Sequence, residues 1–142
     1  MKKLKFVIES DLENVALVSM SVKKICSMIP LSEMHLFQIE LCTVEAVNNS
    51  IIHAYNRESM HEVEIILTIK DDYLSLEIGD KGKAIDNEVL EKASFGHQDE
   101  IIDNPETISE TGRGLALIKE YMDKVSYMSD NSGNRFIMIK YF

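Results

Sequence analysis

The spacing of apolar residues changes from three-or-four to two partway along the chain, and this change restricts the fold more than any other feature. Up to Tyr55 the spacing is helical, with one stripe at Leu12, Val15, Val18, Val22, Ile25 and Ile29 and a second at Met34, Phe37, Leu41, Val44, Ile51 and Tyr55. From Glu62 alternation takes over. Val63, Ile65, Leu67 and Ile69 lie between Glu62, Glu64, Ile66 and Thr68, and Leu74, Leu76 and Ile78 continue the pattern beyond a turn at Asp71-Asp72. Amphipathic helices and a half-buried hairpin each have one side to bury, so they must pack on one another.

The remaining elements complete that scheme. A first strand is expected at 4–8, then a helix opening at Asp11 behind a capping box of Ser10 and Glu13. Ser32 caps a second helix over 33–55, and a short helix follows the hairpin at 87–93. Residues 95–111 are acidic and aperiodic and read as a mobile loop. Gly112-Arg113-Gly114 opens a helix that buries Leu115, Ile118, Met122 and Val125, and strands at 125–129 and 135–142 close the chain around a turn at Asp130-Asn131-Ser132-Gly133. The expected fold is α+β: a two-layer sandwich with helices on one face of a mixed, mostly antiparallel sheet.

With 142 residues, two Pro and six Gly, the sequence has no linker signal, and one domain over 1–142 is expected. The net charge of −9 repels phosphate backbones, which argues against direct nucleic-acid binding. It does not argue against a nucleotide, because a few backbone amides and one cation outweigh distant acidic groups. No stretch approaches the roughly 20 apolar residues of a membrane span, and the start turns polar within ten residues, so no membrane and a cytoplasmic location are expected. Cys26 and Cys42, without a CxxC or a nearby histidine at zinc spacing, read as reduced core thiols.

Three segments carry chemistry. Glu45 and Asn49 are four apart on the second helix and project from one face, where an amide oxygen suits a hard cation and a carboxylate can accept a proton. Most such pairs are only a solvated face, but two adjacent asparagines, Asn48 and Asn49, are poor helix formers and ask for a reason. Asp80 and Gly82 follow the hairpin. They suit a plain turn, or a carboxylate that accepts from a ligand amino group beside a glycine that lets backbone approach a flat ring. Thr111-Gly112-Arg113-Gly114-Leu115 joins glycines, a hydroxyl and a cation at a helix start, which is an anion site or a simple loop end.

In this order the segments resemble the Bergerat-fold, histidine-kinase-like ATPase superfamily. The resemblance is to its small anti-sigma factor serine kinases, through Glu45-Ala46-Val47-Asn48-Asn49 and Ile51-Ile52-His53, and it spans nearly the whole chain. It implies that ATP or ADP binds with Mg2+, that Glu45 is the general base, and that Asn49 holds the magnesium. It further implies that Asp80 reads the adenine amino group with Gly82, Ala84 and Ile85 beside it, and that Thr111, Gly112, Arg113, Gly114 and Leu115 serve the phosphates. Residues 95–111 would form a lid whose acids (Asp99, Glu100, Asp103, Glu106, Glu110) require Mg2+ and Arg113 to offset them. The implied partners are a sigma factor and an anti-sigma factor antagonist protein, and the resemblance is open to a homodimer paired through the first strand. A nucleotide-gated binding regulator with little or no kinase activity is the alternative, and a domain without a nucleotide site is a third reading. The chain departs from the family pattern with Ala84 where a second glycine is usual, Gly79 where a basic residue is frequent, and Gly133-Asn134-Arg135 where Gly-Thr is frequent.

Overall fold

The computed structural model describes residues 1–94 and 110–142, with 93, 94, 110 and 111 described by backbone alone. The strands are β1 (Lys2–Glu9), β2 (Glu62–Ile69), β3 (Tyr73–Asp80), β4 (Lys124–Asp130) and β5 (Gly133–Tyr141). They form one sheet in the order β1-β2-β3-β5-β4. The expected layering is present, but every pairing among the described residues is antiparallel, so the sheet is not mixed. Alternation places Val63, Ile65, Leu67, Leu74, Leu76, Ile78, Phe136 and Met138 on the buried face. The helices α1 (Glu13–Cys26), α2 (Glu33–Asn48), α3 (Asn87–Ser94) and α4 (Glu110–Tyr121) complete the sandwich. α2 lies centrally, packed against α1, α4 and β3.

Several local expectations change. Ser10 is buried but caps nothing: its hydroxyl donates to Glu58 O at 2.6 Å and accepts from His61 N–H at 3.1 Å. The Ser10 hydroxyl is thus taken up by the loop before β2, and α1 starts at Glu13, whose N–H goes to Asp11 Oδ1. Ser32 does cap α2, accepting from His35 N–H at 3.1 Å. The buried side of α2 is Leu36, Ile39, Cys42, Thr43, Ala46 and Val47, while Met34 and Phe37 from the expected stripe are exposed. Two apolar stripes run along this helix, and periodicity alone does not choose between them. Helical geometry also changes beyond Asn48, where Asn49–Ala54 is a π-helical turn in which Tyr55 N–H donates to Ser50 O. Asn56, Arg57 and Met60 then take positive φ and turn the chain out to β2.

Cys26 and Cys42 are free and buried, and burial pushes both thiols up to about 12. Among the described residues no helix is long and apolar enough to cross a membrane.

Candidate functional site

The end of β3 brings Asp80 under the π-turn, in the inward-facing register continued from Ile78. Its carboxylate is held from three sides: Ser50 Oγ donates to Oδ2 at 2.7 Å, and Gly82 N–H at 3.1 Å and Asn134 Nδ2 at 2.7 Å donate to Oδ1. Gly82 sits against the end of the π-turn, where a β-carbon would overlap the Ala54 carbonyl, and Lys83 N–H donates to that same carbonyl at 2.8 Å. Ile85 N–H donates to Tyr127 Oη at 3.0 Å. Burial raises the Tyr127 phenol above its usual value, with the Ile85 N–H working against that shift. Between these groups lies a narrow cleft lined by Ala46, Asn49, Ile78, Asp80, Ile85 and Phe136 among others. At about 20 Å³ it holds little more than one water, and its walls of apolar side chains around one carboxylate would have to part to admit a flat ring with a donor on its edge.

One turn back along α2 is a second compartment of about 210 Å³, lined by Glu45, Asn48, Asn49, Ile52, His53, Arg113, Gly114 and Leu117. α4 approaches α2 so closely here that a β-carbon on Gly114 would lie 2.7 Å from Glu45 Oε2. A carboxylate and a guanidinium thus share a small chamber, an arrangement able to accept a proton and to hold an anion. Asn49 lines both compartments. Among the described residues no group of three His, Cys, Asp or Glu side chains is placed to hold a metal. Asn49, which lines both compartments, carries the kind of amide oxygen that a hard cation takes as a ligand.

The sequence-derived set divides accordingly. Glu45, Asn49, Arg113 and Gly114 meet around the chamber, while Asp80 and Ile85 line the cleft and Gly82 donates to Asp80. Ala84 is exposed next to the cleft. Leu115 is buried in the core, 3% exposed, and lines neither compartment. Gly112, Arg113 and Gly114 do not open α4: the helix begins at Glu110, so they lie within its first turns. Gly114, with no side chain, lets this helical turn press onto α2. Residues 95–109 of the expected lid and the side chains of Glu110 and Thr111 lie outside the described residues, while the backbone of 110 and 111 belongs to α4.

Sequence reasoning missed Ser50 and Asn134, whose bonds to Asp80 span 30 and 54 residues. One signal was present for Asn134. It occupies the inward register of β5 ahead of Phe136 and Met138, directly opposite Asp80, and a polar side chain there needs a partner. The largest cavity among the described residues, about 850 Å³, is a groove that includes Glu64, Gly79, Met128 and Arg135. Asp80, Gly82 and Asn134 line it too; Glu64 accepts from Arg135 Nη2 at 3.1 Å and pairs with Lys5 at 2.7 Å, while Arg135 Nη1 is buried without a hydrogen-bond partner among the described residues.

The described residues thus form a two-layer α+β sandwich in which a cleft at Asp80 and a chamber at Glu45 share one lining residue, Asn49. The chain belongs to the histidine kinase-like ATPase domain family, whose model matches residues 8–140. It is 31% identical over 139 residues to an anti-sigma F factor of Clostridium perfringens, covering 97% of this chain and 94% of that one. It is also 26% identical over 129 residues to the serine-protein kinase RsbW of Oceanobacillus iheyensis, covering 91% of this chain and 80% of the relative. With the RsbW of Staphylococcus epidermidis it shares 29% over 130 residues, again 91% and 80%.

Proposed function

We propose that this chain is an ATP-dependent protein serine/threonine kinase that phosphorylates an anti-sigma factor antagonist and otherwise sequesters a sigma factor. The observation that carries the reading is that Asn49 lines both the cleft at Asp80 and the chamber of Glu45 and Arg113, so one nucleotide can span base recognition and reaction. In this reading Asp80 accepts from the adenine amino group, and Ile78, Ile85 and Phe136 flank the ring. Asn49 would hold Mg2+, which when bound offsets the charge of the phosphates. Arg113 meets the terminal phosphate. Glu45 takes the proton of the attacking serine or threonine hydroxyl as the new phosphoester bond forms and ADP leaves. The names of the relatives support the partners, and a cytoplasmic setting agrees with them. β1, an edge of the sheet, is the surface through which a second copy would pair.

Labelled Mg-ATP and the antagonist encoded nearest the chain test the reading. Transfer to a serine or threonine is expected, and Glu45→Ala should lower it by about 100-fold or more while leaving ADP binding within about threefold. No transfer by the unaltered chain, with ATP bound and the sigma factor sequestered, would replace the kinase by a nucleotide-gated regulator.

A further inference from the structure

The cleft at Asp80 is closed: about 20 Å³ is far short of a purine, so one wall has to move for a base to enter. Two of its three sides are core. Ile78 and Phe136 belong to the inner face of the sheet, and Ala46 and Ser50 belong to the central helix and its π-turn, all of them buried. The third side is residues 83–86, a stretch without regular structure between β3 and α3 that places Ile85 against the cleft. It is tied at both ends. Lys83 N–H donates to Ala54 O at 2.8 Å, and Ile85 N–H donates to Tyr127 Oη at 3.0 Å. Between Lys83 and α3, the bond to Tyr127 is the only hydrogen bond to another element among the described residues. Tyr127 comes from β4, and its ring leans on Phe136 with 6.2 Å between centroids. The same two rings also line a second void of about 40 Å³, next to Leu90 of α3, Leu115 and Val125. Any displacement of Ile85 away from the cleft therefore parts its N–H from this phenol.

We propose that Tyr127 is a positioning residue for nucleotide binding: its hydroxyl holds Ile85 against the cleft in the free chain, and the base enters as that bond breaks and residues 83–86 swing out. The inference rests on the reading of the Asp80 cleft as the base site. While the wall is closed, the phenol satisfies an Ile85 N–H that is turned away from water; once the wall is open, water does so instead. The bond therefore favours the closed arrangement alone. Only the open fraction of chains takes up a nucleotide, so the apparent affinity falls in proportion as the closed arrangement is favoured. Removing the hydroxyl removes that preference and leaves Asp80 and its donors untouched.

The test measures how fast a fluorescent ADP, with an N-methylanthraniloyl group on its ribose, binds to and leaves the unaltered chain and Tyr127→Phe in the presence of Mg2+. Phenylalanine keeps the ring against Phe136, and thermal melts check that the variant is folded. The association rate is expected to rise by about threefold to tenfold in Tyr127→Phe while the dissociation rate stays within about twofold, so binding tightens. A substitution that only loosened the fold would weaken binding instead. An unaltered chain that binds no ADP overturns the reading of the cleft, and this inference with it. An unaltered chain that binds ADP, with a Tyr127→Phe chain that associates no faster, overturns the role of Tyr127 alone. Faster release from Tyr127→Phe at an unchanged association rate also overturns it, because the bond would then belong to the bound state. Should Tyr127→Phe fail to fold, Tyr127→Leu, also apolar and without a hydroxyl, makes the same comparison.

Discussion

The cleft at Asp80 and the chamber at Glu45 sit one helical turn apart, yet they are built on opposite plans. At Asp80, buried serine and asparagine donors and the half-buried Gly82 N–H fix the carboxylate before any ligand arrives, and its direction is set by hydrogen bonds from the π-turn, from the residues just beyond β3 and from β5. The chamber is set by distance. Glu45 and Arg113 come together because Gly114 lets two helices touch, and the space between them is open. Recognition of a fixed shape rewards the first plan, since every reorganisation avoided is affinity kept. A reaction with an incoming macromolecular hydroxyl rewards the second, because the partner must have room to enter.

Gly82→Val attacks the first plan and carries the largest expected effect. Its side chain collides with the Ala54 backbone, which cannot move without the π-turn, so ADP binding should drop by more than about 30-fold and stability by about 1–3 kcal/mol. Calorimetry and thermal melts read both. Ala84→Gly, at an exposed neighbouring position, should change ADP affinity by less than about threefold.

Gly114→Ala attacks the second plan. A methyl group 2.7 Å from Glu45 Oε2 displaces either the carboxylate or α4, so phosphotransfer should fall by about tenfold while ADP binding stays within about threefold. Equal loss of both activities would show that the two compartments do not separate.

The smallest effect tests a region belonging to neither. A hydrogen bond from Lys5, then one from Arg135, lowers the Glu64 carboxyl below its ordinary 4.5. Its contribution to stability is therefore complete above that value and is lost as pH falls through the lowered folded value. Glu64→Gln should cost about 1 kcal/mol or less near pH 7, and the difference from the unaltered chain should shrink below pH 4.5 in melts recorded across pH. ADP binding and phosphotransfer should not change.

The strands were legible because alternation is a local signal, and the Asp71-Asp72 turn fixed where β2 ends and β3 begins. Glu45, Asn49, Asp80 and the Gly112–Gly114 segment were legible as types at helical or turn spacing. The buried side of α2 was not, because Met34 and Phe37 are as apolar as Leu36 and Ile39, and only the positions of α1, α4 and β3 decide which are covered. Ser50 and Asn134 were hidden for a different reason: their partner lies in another element, and residue spacing carries no record of which strand ends meet.

The π-turn at Asn49–Ala54 closes over five residues where an α-helix closes over four, so it carries a residue that the preceding helix has no place for. Straightening the segment into α geometry without removing a residue would break the Tyr55 N–H bond to Ser50 O and rotate the residues beyond by about 100°. Asn49 would stay with Glu45, but the Ala54 carbonyl would swing away from Gly82, parting the two compartments without altering any group that touches a ligand. The segment therefore acts as a phase spacer: it absorbs one extra residue so that the Ala54 carbonyl keeps its place beside Gly82.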